Sequence, residues 1–132
     1  MADPVKTTID LGSVLAGPCH FQDETFTGAA TTTYKAGTIL ARDSVSLKLV
    51  PFVKGGVTKQ NGIPKAVLQD ALTTVGAGDY KVRPILAGRV NFARLVIHAD
   101  GSNANIDAAV LDGLRAYGIE SETTTQLAKA DN

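Results

Sequence analysis

The stretch that decides the fold begins with Ile85-Leu86-Ala87-Gly88-Arg89-Val90-Asn91 and closes with Leu114-Arg115-Ala116-Tyr117-Gly118-Ile119. In the first segment a glycine interrupts an apolar run, which is typical of a strand with a bend or bulge. In the second segment a glycine followed by an apolar residue is typical of a helix end, where the chain folds back onto the last turn. The two segments therefore predict a strand and then a helix, and neither carries a catalytic motif.

The helix is predicted over about residues 105–117. Asn103 or Asn105 can cap its start, and Arg115 lies in the last turn, where a cation interacts favourably with the helix dipole. Gly113 is a poor helix former, so its presence within the helix predicts close packing against another element. One apolar stripe contains Ile106, Ala109, Val110, Leu114 and Tyr117.

Short strands are predicted upstream. Residues 37–42 form an apolar strand, and residues 44–53 alternate between apolar and polar side chains as in a half-buried strand. Pro51 lies within that second run, which indicates an edge position or an early end to pairing. Asn61-Gly62 is typical of a two-residue hairpin turn.

These elements predict a module of several short strands and one C-terminal helix, which is a mainly β (α+β) content. Residues 34–119 form this module, and the helix lies in its last part. Residues 1–33 mix Thr, Gly and Ala with scattered apolar residues and predict an extended N-terminal arm. Residues 120–132 predict a polar C-terminal tail. The run at 65–72 fits either a strand or a helix.

Composition excludes several classes of partner. The 132 residues suffice for one domain, and 13 basic and 13 acidic residues leave no net charge. Neither sign is clustered, so we expect no nucleic-acid partner. No apolar stretch approaches the length of a membrane span, and residues 1–6 do not resemble a signal peptide, so we expect synthesis in the cytosol and no membrane partner.

Groups of reactive residue types are present, but their spacing favours turns and caps. His98, Asp100 and Ser102 contain the residue types of a catalytic triad, yet they lie two apart at the end of one apolar run. The polar residues at 103, 105 and 107 start like a calcium loop, but positions six and twelve of that pattern are Ala108 and Leu114. We therefore expect no catalytic residue, no metal ligand and no cofactor.

Four segments, in order, resemble one known family. They are Ala36–Arg42, Ile63–Leu68, Ile85–Asn91 and Leu114–Ile119. Each is similar to a strand or helix-end motif of the phage head decoration proteins of the lambda type, which are also called capsid cement or stabilisation proteins. The resemblance spans about residues 34–119, and it favours a strand for the run at 65–72. It implies that the module is a small antiparallel β-barrel or β-tulip-like fold with one C-terminal helix.

The resemblance implies a structural protein of the virion with no enzymatic activity. Such proteins form homotrimers on the outer surface of an icosahedral phage head, where they bind the major capsid protein and stabilise the expanded shell. The protein is then made in the host cytoplasm. The N-terminal arm of the family commonly contacts the shell, although it carries no fixed motif.

The apolar residues of the predicted arm are accordingly the expected capsid contacts. They are Val5, Ile9, Leu11, Val14 and Leu15. Two other functions stay open at this stage. One is a small trimeric β-barrel enzyme that acts on nucleotides, and the other is a β adaptor that binds a peptide along a strand edge.

Overall fold

The computed structural model describes residues 14–122. Within this range the chain forms ten strands, one 3₁₀-helix (Phe92–Arg94) and one α-helix, α1 (Ala108–Ala116). The strands are β1 (Leu15–Phe21), β2 (Glu24–Gly28), β3 (Thr33–Tyr34), β4 (Ile39–Arg42), β5 (Leu49–Pro51), β6 (Pro64–Val67), β7 (Leu72–Thr73), β8 (Gly78–Val82), β9 (Ile85–Asn91) and β10 (Ile119–Glu122).

One sheet contains eight of these strands and curls into a half-barrel. Its order is β10-β9-β6-β4-β5-β2-β8, and β1 pairs with the opposite side of β9. Strands β3 and β7 form a small second sheet. The predicted fold class, mainly β with a single helix, is confirmed. The large sheet is mixed, however, because β10 runs parallel to β9 and β5 runs parallel to β2.

Strands β4 and β6 lie at the centre of the sheet and are buried on both faces. Ile39 and Ala41 of β4 and Val67 of β6 enter the first core, which α1, β1, β9 and β10 also line. Leu40 and Ala66 enter the second core on the opposite face. The second core is completed by Phe26, Tyr34, Leu49, Leu68 and Val82. A strand that is buried on both faces reads as a continuous apolar run, which is the pattern at residues 39–41.

Asp107 caps the start of the helix, so the prediction of Asn103 or Asn105 as the cap is wrong. The Asp107 carboxylate accepts a hydrogen bond from the backbone N–H of Val110 at 3.1 Å. Asn103 instead lies in the preceding turn, where its carbonyl oxygen accepts a bond from the N–H of Ile106. The first helical residue is therefore Ala108, three residues later than predicted.

The rest of the helix follows the prediction closely. Gly118 has φ +90° and donates its N–H to the carbonyl oxygen of Arg115 at 3.0 Å, as expected for a left-handed residue after the helix end. A Cβ atom at Gly113 would lie 2.8 Å from Cγ of Pro64, which confirms the predicted close packing. Of the predicted stripe, Ile106, Val110 and Leu114 are buried, whereas Ala109 and Tyr117 are exposed.

The alternation at residues 44–53 does not form one strand. Only Leu49–Pro51 pairs in the sheet, so pairing ends at Pro51 as predicted. Residues 43–48 form a turn instead, because the side chain of Asp43 bonds to the backbone of the next residues. The strand predicted within residues 65–72 is confirmed, since Pro64–Val67 pairs with β4 and β9. Register shifts on both sides of Gly88 confirm the predicted bulge.

The hairpin turn predicted at Asn61-Gly62 lies two residues earlier. Lys59 (φ +48°) and Gln60 (φ +66°) occupy the central positions of the turn, and the N–H of Asn61 donates to the carbonyl oxygen of Thr58 at 2.9 Å. The Asn61 side chain accepts from the N–H of Thr58 at 3.2 Å. Asn61 is therefore the last residue of the turn. Lys59 and Gln60, neither of which is a glycine, take the left-handed conformation.

Both predicted domain boundaries need correction. Residues 15–28 form β1 and β2, and Phe26 of β2 is fully buried, so the predicted arm cannot extend to residue 33. At the other end, Ile119–Glu122 pairs with β9, so the predicted tail cannot begin at residue 120. Residues 1–13 and 123–132 lie outside the described residues.

Gly37 provides a test of how closely the segment after β9 packs beside the start of β4. Its φ is +95°, and a Cβ atom there would lie 1.7 Å from the carbonyl oxygen of Arg94. We expect Gly37→Ala to lower the free energy of unfolding by about 3 kcal/mol or more, because strain and overpacking add. Gly76→Ala is the control, since nothing packs within 4 Å of its Cβ position. Equal urea midpoints for the two variants would contradict the assigned packing.

Gln60 provides a test of the displaced turn. Since its backbone is left-handed, Gln60→Gly should raise the free energy of unfolding by about 1 kcal/mol through relief of strain. Gln60→Ala retains a Cβ atom and should give no such gain. Urea denaturation of both variants measures the difference. If Ala stabilises as much as Gly, the turn does not lie at Lys59-Gln60.

Candidate interaction surface

Two adjacent loops, residues 43–48 and 53–63, carry most of the exposed aliphatic side chains and are called the loop pair below. Val57 is 92% exposed, Val45 73% and Leu47 64%. Burial of one such side chain contributes about 1.5–3 kcal/mol, so exposure of several on neighbouring loops is typical of a surface that binds a partner. The members are Val45, Leu47, Val53, Val57 and Ile63, five of the seven large apolar side chains that are exposed within residues 14–122.

The first loop is held by hydrogen bonds within itself. The Asp43 carboxylate accepts from the N–H of Val45 at 2.8 Å and of Ser46 at 3.0 Å. The backbone of Asp43 also bonds to Leu47 and Lys48, each at 2.9 Å. The N–H bonds from Ser46 and Val45 lower the pKa of Asp43 below its ordinary value. The loop therefore presents its two exposed aliphatic side chains on a defined backbone.

Leu47 occupies an unfavourable conformation without gaining burial. Its φ of +65° lies in the left-handed region, which costs a residue with a Cβ atom about 1–2 kcal/mol. The conformation is stabilised by the guanidinium of Arg42, which donates to the carbonyl oxygen of Leu47 at 2.8 Å and is paired with Glu24 at 3.1 Å. Since strain of this kind often occurs at functional positions, Leu47 is the strongest candidate contact residue of the loop.

Polar contacts connect the first loop to its neighbours. The N–H of Ser44 donates to the carbonyl oxygen of Lys59 at 3.0 Å, which joins the two loops. The ammonium group of Lys48 pairs with Asp79 of β8, and Asp79 also accepts from the hydroxyl of Thr27 at 3.0 Å. The bond from Lys48, which has the larger effect, and the bond from Thr27 lower the pKa of Asp79. The first loop is thus fixed both to the second loop and to the sheet.

The second loop is anchored along the helix. Lys54 Nζ lies 2.9 Å from the carboxylate of Asp107, the residue that caps α1. The bond from Lys54, followed by the N–H of Val110, lowers the pKa of Asp107. Just beyond the loop, Lys65 Nζ lies 4.1 Å from the ring centre of Tyr117, at the other end of α1. The loop therefore keeps one orientation relative to the helix.

The residues expected to contact the capsid divide into two groups. Val5, Ile9 and Leu11 lie outside the described residues. Val14 is 6% exposed and belongs to the first core, where its carbonyl oxygen accepts from the N–H of Asn91 at 2.7 Å. Leu15 is half-buried against the same core. The assignment of Val14 and Leu15 to a free arm is wrong, because both belong to the folded module.

The other reactive residues have structural partners. The ring centres of His98 and Tyr34 lie 4.4 Å apart. Asp100 and Ser102 belong to the turn predicted there. The N–H of Ile97 donates to the carbonyl oxygen of Ser102 and closes this turn. The Cys19 thiol donates to the carbonyl oxygen of Arg89 at 3.2 Å, and burial raises its pKa. Among residues 14–122, no three His, Cys, Asp or Glu side chains cluster as metal ligands would.

Sequence reasoning missed the loop pair because it interpreted residues 44–53 as a strand. The useful signal was Asp43 followed by Ser44 and Ser46, since Asp at the start of a polar segment often bonds to the backbone two or three residues later. That bonding competes with pairing in a sheet. The alternating pattern was therefore compatible with either a strand or a turn, and the bonds of Asp43 favoured the turn.

Asp107 makes the stability of this surface pH-dependent. Because folding lowers its pKa below the ordinary 3.8, the stabilisation is present above that value and is lost as the pH falls through the folded pKa. Asp107→Asn keeps a capping side chain but removes the charge. We expect a lower urea midpoint than wild type at pH 7 and a gap that closes as the pH falls below the ordinary pKa of 3.8.

The control for this measurement is Asp112→Asn, an exposed carboxylate in the same helix. It retains Asp107, so it should lose stability between pH 7 and acid pH as the wild type does. A gap between wild type and Asp107→Asn that stays constant over this range would show that the carboxylate of Asp107 contributes no pH-dependent stability.

Comparison of the chain with family models and with curated proteins identified no related protein. No family model matches the chain, and no curated protein matches it significantly. Among the described helices, none is long and apolar enough to cross a membrane. The interpretation of the loop pair accordingly rests on its own geometry.

Proposed function

We propose that this chain is a decoration protein of a phage head. It binds the major capsid protein on the outer surface of the icosahedral shell as a homotrimer, and it stabilises the expanded shell without enzymatic activity. It is made in the host cytoplasm and becomes part of the virion. The observation that carries the proposal is the placement of the four segments that resemble the lambda-type family.

Those four segments lie side by side in the fold. Ala36–Arg42 includes β4, Ile63–Leu68 includes β6, Ile85–Asn91 is β9, and Leu114–Ile119 ends at the first residue of β10. Strands β4, β6, β9 and β10 are consecutive neighbours in the sheet. Short similarities scattered by chance would have no reason to assemble into one continuous part of a sheet. Their adjacency therefore supports a shared module.

Residues 1–13 are the proposed capsid tether. They precede β1, which is paired along β9, so a force on this segment is carried directly into the large sheet. Val5, Ile9 and Leu11 supply its apolar side chains. Burial of each contributes at most about 1.5–3 kcal/mol, whereas ordering each backbone residue costs about 1–2 kcal/mol.

One tether alone is therefore a weak ligand. In a trimer, three tethers act together at high effective concentration, which increases affinity by about 10²–10⁴-fold. On this argument the homotrimer is what makes shell binding tight. Lateral contact between subunits and capsid contact through residues 1–13 are then two separate parts of one function.

The test is co-sedimentation with expanded empty shells assembled from the major capsid protein of the same genome. We expect the full chain to sediment with shells and a variant lacking residues 2–12 to bind at least about tenfold more weakly, because the avidity of three tethers is lost. A variant lacking residues 124–132 is the control and should bind as the full chain does.

Two results would count against this proposal. If the full chain does not sediment with expanded shells, it does not act in capsid decoration. If the variant lacking residues 2–12 binds as tightly as the full chain, the tether is wrong and the shell contact lies elsewhere in the chain. Circular dichroism of the shortened variant verifies that the module still folds.

A further inference from the structure

We propose that the loop pair is the surface through which copies of this chain contact one another around the trimer axis. This inference deepens the proposed function and rests on its homotrimer, because it assigns the subunit contact to residues 43–48 and 53–63. The occupant of the surface is thus the same loop pair of the neighbouring copies. The loop pairs of three copies then meet around the three-fold axis, where each copy contacts both neighbours through one repeated contact, and the ring closes.

The shape of the surface is suited to contact without rearrangement. Asp43 holds the first loop, the Ser44–Lys59 bond joins the two loops, and Lys54 ties the second loop to the helix cap. It exposes several aliphatic side chains, and Leu47 is kept outward in a left-handed conformation. A surface that is ordered before binding loses little conformational entropy on binding.

The charges around the surface favour another copy as the occupant. Three lysines lie within the loop pair, and each has a carboxylate beside it. Lys48 pairs with Asp79, Lys54 pairs with Asp107, and Lys59 lies close enough to Asp43 to lower its pKa. The positive and negative charges of the surface therefore balance, and the whole chain has no net charge.

A partner with a strong net charge of either sign gains no long-range attraction from a surface whose charges balance. A second copy brings the same balanced set, so two copies approach without net repulsion. The exposed aliphatic side chains then provide the attraction on contact. Val75 is 84% exposed but belongs to a different segment, the turn between β7 and β8, and is not part of the loop pair.

The experiment measures oligomeric state by sedimentation equilibrium on the full chain over a range of concentrations. Wild type is compared with Val57→Asp and with the control Val75→Asp. Both positions are exposed on turns, so neither substitution removes a core contact. We expect wild type and Val75→Asp to be trimers with the same dissociation constant, and Val57→Asp to dissociate at least about tenfold more readily.

A second measurement does not depend on a destabilising change. Val57→Cys and Val75→Cys are each treated with a short bifunctional maleimide, and wild type, which has Cys19 alone, shows the background. Cross-linked dimers specific to Val57→Cys support the inference. No cross-linking above background at position 57 in a chain that is trimeric would contradict it.

The outcomes separate this inference from the function on which it rests. If wild type is a trimer and Val57→Asp is equally trimeric, the loop pair is not the subunit contact, and the proposed capsid function stands. If Val57→Asp stays trimeric but fails to sediment with shells, the loop pair binds the capsid protein, and the inference is likewise overturned. If wild type is a monomer at every concentration, both the inference and the homotrimer are wrong.

Discussion

Burial of β4 and β6 on both faces is the constraint on which the rest of the structure depends. Each strand supplies alternate side chains to two cores, so both faces of this pair must be covered. The helix and strands β1, β9 and β10 cover one face, and the curl of β5, β2 and β8 encloses the other. A half-barrel with a helix on one side satisfies both requirements in one short chain.

The loop pair consists of connections between sheet strands that lie outside both cores. Residues 43–48 connect β4 to β5, and residues 52–63 connect β5 to β6, so both loops arise from the central strands. Polar bonds hold them rather than burial, and their aliphatic side chains remain exposed. A rigid sheet that carries ordered apolar loops is well suited to structural contacts, in which the shape of the surface persists and no chemistry follows.

Sequence reasoning succeeded where a local pattern had one physical solution. The apolar run of β4, the bulge at Gly88 and the helix end at Gly118 each depend on a few neighbouring residues, and each was predicted. It failed where two local solutions competed, as at Asp43, or where residues from other elements decided the outcome. Asp107 became the helix cap with Lys54 beside it, and β2 became an interior strand because β5 and β8 pair with it.

The sequence by itself determined the class of fold, its single helix and the strands at its centre, because periodicity and turn residues act over short distances. It also contained the resemblance that motivates the proposed capsid function. Only the tertiary structure decided that residues 15–28 belong to the module and that Val45, Leu47 and Val57 face solvent. Burial and exposure depend on which strands pair across the chain, and a single sequence does not specify those pairings.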